Sequence, residues 1–150
     1  MATSKKSRKD DGPNKKHDPD SYLSKPPSWC FLSCDTDTKC RWSFSQHRLK
    51  EEFWTRIFLK LQKFEQMTWS EIQIKSKKQN HSNIVETMNK CAKDRLDELE
   101  IEYNALFSLR LNSTVRLYGY REGAVFNILW YDNDHGDNDT CVVRSRLKHT

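Results

Sequence analysis

The sequence predicts an α+β fold: an antiparallel sheet built on a C-terminal three-stranded meander, packed by a long amphipathic helix and by shorter helices. Three observations support this prediction. Apolar residues recur at steps of three and four between Gln46 and Met67, which is the helical period. From Phe107 onward the period falls to two, which is typical of strands. A chain of 150 residues is long enough for one core and too short for two.

The long helix is the strongest structural signal. We expect its stripe of Phe53, Ile57, Leu61 and Phe64 to pack across the sheet, because neither element can bury its apolar face alone. The full set of apolar residues that predicts the helix is Leu49, Phe53, Trp54, Ile57, Phe58, Leu61 and Phe64.

After the long helix, Thr68 and Glu71 have the spacing of a capping box and predict a new short helix that ends near Lys77. The polar stretch from Lys77 to Ser82 predicts a loop. Looser helical periodicity follows at Ile84, Met88, Cys91, Leu96, Leu99 and Ile101.

The predicted meander consists of strands at Phe107–Leu111, Val115–Tyr120 and Ala124–Tyr131. Two shorter β-favouring segments, Ser28–Ser33 and Arg41–Phe44, predict an N-terminal hairpin. Alternation across a strand places Arg116, Tyr118 and Tyr120 on one polar face of the second meander strand, with Val115, Leu117 and Gly119 on the other. It likewise groups Phe126, Ile128 and Trp130 on one face of the third strand.

Composition divides the chain into a disordered basic leader, residues 1–25, and a single domain, residues 26–150. Residues 1–20 carry six Lys or Arg and no aromatic residue, so they cannot offset the entropy of ordering. A solubilising tail and a phosphate-binding arm both fit this leader. The chain has no secretory signal pattern and no apolar run of membrane-spanning length. We therefore expect a cytoplasmic protein without a membrane partner.

The five cysteines are odd in number and do not suit a closed disulfide framework, so we expect free thiols. Cys30, Cys34 and Cys40, with His47 as a fourth ligand, form an alternative zinc site, but only the first spacing fits. Buried structural cysteines are the favoured interpretation. We expect neither a metal nor a cofactor.

Unusual polar residues collect where the third meander strand ends. Asp132, Asp134 and His135 lie there, and His titrates near neutrality while a neighbouring carboxylate can orient it for proton transfer. A solvated loop over residues 132–138 is the competing interpretation, because Asp, Asn and Gly are ordinary turn residues. The same carboxylates beside His135 would also suit a divalent metal.

Residues 107–136 resemble the RelE/YoeB/ParE superfamily of bacterial toxins in the order of Leu109-Arg110-Leu111, the Val115–Tyr120 strand and the Ile128–Tyr131 strand ending near His135. Ribosome-dependent members use basic residues, Tyr and His on a concave sheet to cleave mRNA. The resemblance implies that Arg116 and His135 are catalytic, assisted by Tyr118. It also implies that Arg110 and Arg121 contact RNA phosphates, and that the partners are RNA or the ribosome and a cognate antitoxin.

Two function classes follow. The first is a toxin-like, metal-independent endoribonuclease or translation inhibitor of a toxin-antitoxin or mobile-element system, in which Arg116 and His135 lie close together on an accessible concave surface. The second is a non-enzymatic protein-binding module, either antitoxin-like or a phage accessory protein. It would use the aromatic face of the long helix, including Phe53, Trp54 and Phe58. The oligomeric state is left open.

Overall fold

A computed structural model describes residues 21–45, 49–75, 80–137 and 140–143. It has five strands: β1 (Ser28–Cys30), β2 (His81–Ile84), β3 (Ala105–Arg110), β4 (Arg116–Glu122) and β5 (Val125–Asp132). They form one sheet in the order β1-β5-β4-β3-β2. The α+β prediction and the C-terminal meander of β3, β4 and β5 are confirmed.

The long helix runs through three consecutive segments, Leu49–Glu52, a π-helical Phe53–Phe58, and Leu59–Phe64. Residues 46–48 lie outside the described part of the chain. The helix ends at Phe64 rather than at the predicted Met67, and a turn leads to Thr68. A π-helical segment, Glu71–Lys75, follows, and a short helix, Lys90–Glu98, comes later.

The predicted capping box is present. The Thr68 hydroxyl accepts from the Glu71 backbone N–H at 3.2 Å, and the Glu71 carboxylate accepts from the Thr68 N–H at 2.9 Å. This reciprocal pair satisfies two amides that the first helical turn would otherwise leave without partners. The sequence therefore identified the start of this segment correctly.

The predicted N-terminal hairpin is wrong. β1 pairs in parallel with β5, with Trp29 opposite Phe126, and residues 41–44 form turns instead of a second strand. A parallel neighbour makes the sheet mixed rather than wholly antiparallel. The cause is competition for β1. β5 is a longer and mostly apolar partner, whereas a hairpin would have to place the polar Asp35–Lys39 region beside β1.

The predicted loop at Lys77–Ser82 is also partly wrong. Residues 76–79 lie outside the described part, but His81–Ile84 forms the edge strand β2, with Asn83 opposite Leu106 of β3. The Asn83 side chain donates to the Ser108 hydroxyl at 3.0 Å. Polar residues are tolerated in β2 because an edge strand is only half covered.

Both faces of the sheet are buried. The long helix covers one face, where Ile57, Leu61 and Phe64 form the first core cluster with residues of β3, β4 and β5, as the sequence predicted. The short helix and the segments around Trp42 and Val142 cover the other face and form the second core cluster. This two-sided burial determines which polar residues of the meander remain accessible.

Residues 21–25 belong to the folded domain rather than to the leader. Tyr22–Ser24 forms a 3₁₀ turn, and Tyr22 and Leu23 pack against the first core cluster. The Lys25 carbonyl accepts from the Trp69 N–H at 2.9 Å. The folded domain thus begins earlier in the sequence than composition indicated, while residues 1–20 lie outside the described part.

Candidate functional site

The residues that the toxin resemblance singled out lie mostly inside the domain. Arg110, Arg116 and Asp132 occupy directly opposite positions on β3, β4 and β5, so they form a row across the sheet. Tyr118 lies two residues along β4 from this row, on the same face. The sequence predicted this face to be an open polar surface, and the structure shows it to be the second core cluster.

Tyr118 is only 1% exposed and packs in the second core cluster beside Trp130, its partner across the β4–β5 pair. Burial raises the pKa of its phenol well above the ordinary value. A phenol in this position cannot contact an RNA. Its predicted assistance to catalysis is therefore inconsistent with the structure.

Arg116 is 8% exposed, and its guanidinium stabilises its own turn. The Nη1 atom donates to the Asn112 carbonyl at 2.7 Å and to the Val115 carbonyl at 3.1 Å. Burial lowers the pKa of the guanidinium from its ordinary value. These contacts hold the β3–β4 connection, which is a structural role, and they contradict the expected accessible position.

The segment that carries His135 is held against the same connection. The His135 backbone N–H donates to the Thr114 carbonyl at 3.0 Å, two residues before Arg116. The segments that carry Arg116 and His135 therefore meet. The chemistry proposed for them lacks an open surface at Arg116.

Asp132 organises this loop from the inside. It is 1% exposed, and its carboxylate accepts from the Asp134 N–H at 2.9 Å and from the Val142 N–H at 2.8 Å. Burial raises the pKa of the carboxyl to about 6, although both hydrogen bonds oppose that shift. Asp132 thus has a structural role, because its carboxylate holds the loop that follows β5.

Arg121 lies in an aromatic box on the other face. Its guanidinium carbon is 4.0 Å from the Tyr22 ring centroid, 5.5 Å from Trp69 and 5.9 Å from Phe107. These contacts are cation–π interactions, which strengthen when the cation is desolvated. Arg121 is therefore buried against the first core cluster and not presented to a phosphate, whereas Arg110 is half-buried.

Within the described ranges, no group of three or more His, Cys, Asp or Glu side chains is placed to hold a metal ion. The cysteine set at 30, 34 and 40 and the acidic set around His135 were the two alternatives, and His47 lies outside those ranges. All five cysteines are free thiols. Burial raises the pKa of Cys34 and of Cys40 to about 12, so both are protonated at neutral pH.

A cleft of about 540 Å³ lies beside the short helix, with Trp42, Cys91 and Arg95 among its lining residues. Two of its acidic side chains already pair with basic ones: Glu98 with Arg95 at 2.7 Å, and Asp94 with Lys90 at 2.8 Å. We interpret the polar lining as the surface of a structural ion-pair network.

The most unusual accessible feature is an aromatic patch on the long helix and the adjoining loop, made of Phe31, Phe53, Trp54 and Phe58. Trp54 is 61% exposed, Phe31 43% and Phe58 38%. The rings touch in a chain, with centroids 6.2 Å apart for Phe31–Phe53, 5.2 Å for Phe53–Trp54 and 5.3 Å for Trp54–Phe58. Leu32, 91% exposed, extends the apolar surface beside Phe31.

Local structure explains why these rings face outward. Ile57, Leu61 and Phe64 already fill the buried stripe, so the neighbouring ring positions are displaced to the outer surface. The exposed rings lie in and around the π-helical segment, a helix form that occurs frequently at functional sites. Glu52 fixes the helix to the sheet by accepting from the Tyr131 hydroxyl at 2.7 Å.

The sequence predicted the aromatic helix face but missed Phe31 and Leu32. Both were assigned to a strand that continues to Ser33, whereas β1 ends at Cys30 and a turn follows. The turn directs Phe31 toward Phe53 of the helix. The sequence would have indicated this position of Phe31 only if it had shown that β1 ends at Cys30. Local sequence pattern determines strand ends poorly.

None of the helices in the described part of the chain has the length and apolar character needed to cross a bilayer. Comparison with protein-family models, with curated proteins and with solved structures finds no match.

Proposed function

We propose that this chain is a protein-binding module and that the aromatic patch of Phe31, Phe53, Trp54 and Phe58 is its contact surface. The observation that carries the proposal is the exposure of Trp54 at the centre of a continuous chain of rings. Aromatic residues, Trp above all, dominate binding energy when a partner excludes water from them. Contiguous exposed apolar surface on a folded domain marks such sites.

The fold does not need the rings of Trp54 and Phe58. The buried stripe of the long helix is complete without Trp54 and Phe58, so their exposure brings no stability to the domain. Their side chains are also held in place by ring contacts before any partner arrives. Prior ordering lowers the entropy lost on binding, which favours affinity.

The endoribonuclease prediction ranks second because its residues lie in the wrong surroundings. Tyr118 and Arg121 are buried in apolar clusters, and Arg116 is bonded to its own turn. Inducible expression in a bacterial host tests it directly. Growth arrest that disappears in a His135→Ala variant with the wild-type melting temperature would restore that proposal.

Site-specific photo-cross-linking tests the binding module. A photoreactive phenylalanine analogue at position 58 should give a discrete adduct in the cells that make the protein, and the same analogue at the exposed position 86 should not. A Trp54→Ser substitution should abolish the adduct without lowering the melting temperature of dilute protein. Equal labelling at positions 58 and 86, or labelling that is insensitive to Trp54→Ser, would exclude the patch as a binding surface.

A further inference from the structure

The outer face of the long helix carries two adjacent rows of exposed residues at four-residue spacing, which places the members of each row one above another. The first row contains the rings of Trp54 and Phe58, and the second row runs beside it. The rows are Lys50, Trp54, Phe58, Gln62 and Glu51, Thr55, Leu59, Lys63, and all eight residues are exposed.

Each row is complementary to the same row of a second copy whose helix runs in the opposite direction. A two-fold axis near residues 56 and 57 brings Trp54 opposite Phe58 of a second copy, and Thr55 opposite Leu59. The same axis brings Glu51 opposite Lys63 and Lys50 opposite Gln62. Apolar groups therefore meet apolar groups at the centre, and opposite charges meet at the two ends.

We infer that the occupant of the aromatic patch is a second copy of this chain, with the two long helices antiparallel about that axis. The inference rests on the proposed function and names its partner. A two-fold interface uses the same patch on both copies, which requires the self-complementarity seen here. The reversed pairing also makes the two helix dipoles antiparallel, so the positive end of each helix lies beside the negative end of the other.

Charge disfavours the parallel arrangement. It would place Glu51 against Glu51 and Lys63 against Lys63, and like charges directly opposite are destabilising. Thr55 is no obstacle beside Leu59, because its hydroxyl already donates to the Glu51 carbonyl at 3.2 Å. The remaining exposed residue of the helix, Arg56, lies a further step around it and outside the two rows.

Charge reversal gives a test that separates this geometry from other associations. In sedimentation equilibrium the wild-type chain should dimerise. Glu51→Lys and Lys63→Glu should each weaken the homodimer about tenfold, because each variant turns two attractive pairs into repulsive ones. Mixing the two variants should restore association as a heterodimer, and the double variant should restore the homodimer.

A matched control uses Arg56→Glu, which changes the same charge on the same helix outside the rows and should leave dimerisation within about twofold of wild type. A monomeric wild type at roughly 1 mM would overturn the inference, as would a dimer that both charge variants weaken but that mixing does not restore.

Failure of the dimer and failure of the binding surface give different results. If the cross-linked adduct at position 58 contains another protein and no second copy, the proposed function stands and the dimer is wrong. If the patch gives no specific adduct and the chain is monomeric, both are wrong. Circular dichroism melting of every variant confirms that the substitutions leave the monomer folded.

Discussion

Asp35 is the central buried charge of the domain. Arg95 donates to its carboxylate twice, from Nε at 2.8 Å and from Nη2 at 2.9 Å, and the Trp130 indole N–H donates at 3.0 Å. These bonds join the loop after β1 to the short helix and to β5. Loss of the carboxylate should therefore destabilise the second core cluster as a unit.

The pKa of Asp35 gives the magnitude. Burial by itself raises the pKa of this carboxyl, but the Arg95 guanidinium and the Trp130 N–H outweigh burial and hold it at about 2, below the ordinary 3.8. This difference corresponds to about 2.4 kcal/mol of folding free energy. Because the folded-state pKa is depressed, the contribution is complete well above pH 3.8 and is lost as the pH falls toward 2.

The perturbation is Asp35→Asn, measured by urea unfolding. At pH 7 we expect the free energy of unfolding to fall by about 2–4 kcal/mol. The loss is smaller than for a buried Arg left without any partner, because Arg95 still pairs with Glu98. At pH 3 the difference should shrink by about 1 kcal/mol, since the wild type has by then lost part of its ionised advantage. Asp94→Asn, which breaks the exposed pair with Lys90, is the matched control and should cost under about 1 kcal/mol.

Two results would refute this reasoning. One is an Asp35→Asn variant that loses no more stability at pH 7 than Asp94→Asn does. The other is a loss that stays the same between pH 7 and pH 3, because the effect would then come from packing and not from the carboxylate charge.

Three further predictions concern packing and local structure. Leu61→Ala, at a buried position, should lower the free energy of unfolding by about 2–5 kcal/mol in urea melts. Leu59→Ala, at an exposed position, should change it by less than about 0.5 kcal/mol in dilute protein. Equal losses in the two variants would contradict the orientation of the helix. Thr68→Ala removes the capping hydroxyl and should cost about 1 kcal/mol in the same measurement, and no change would mean that water replaces the cap. Gly119→Ala places a Cβ against the Asn127 carbonyl and should lower the free energy of unfolding by about 3 kcal/mol or more. Gly123 has φ +63 and open space around it, so Gly123→Ala should cost only about 1 kcal/mol. Thermal melts in which Gly123→Ala is the less stable variant would show that the strands can separate at Gly119.

Local pattern was sufficient for elements that local physics controls. The long helix is predictable because Ile57, Leu61 and Phe64 repeat at the helical period, and the capping box because Thr68 and Glu71 satisfy each other three residues apart. The meander follows from alternation and short turns. None of these predictions requires knowledge of a distant partner.

Face assignment failed at a bulge, where β5 has one more residue than β4. The β4–β5 register shifts between Tyr118 and Gly119, so Leu129 is an extra residue in β5 and reverses the alternation after it. Trp130 therefore lies in the second core cluster, while Phe126 and Ile128 lie in the first. The sequence predicted all three on one face, because alternation cannot reveal a bulge that depends on the neighbouring strand.

The sequence by itself determined the fold class, the long helix with its aromatic face, and the capping box at Thr68 that starts the next segment. All of these depend on residues close together in the chain. Tertiary structure decided the rest: that β1 joins β5 in parallel, and that the Tyr118 face of the sheet is covered. Burial of Arg116, Tyr118 and Arg121 depends on segments far away in sequence, such as Tyr22 and Trp42. A strand pattern specifies two faces but not what covers each, so it left open whether these residues form a site or a core.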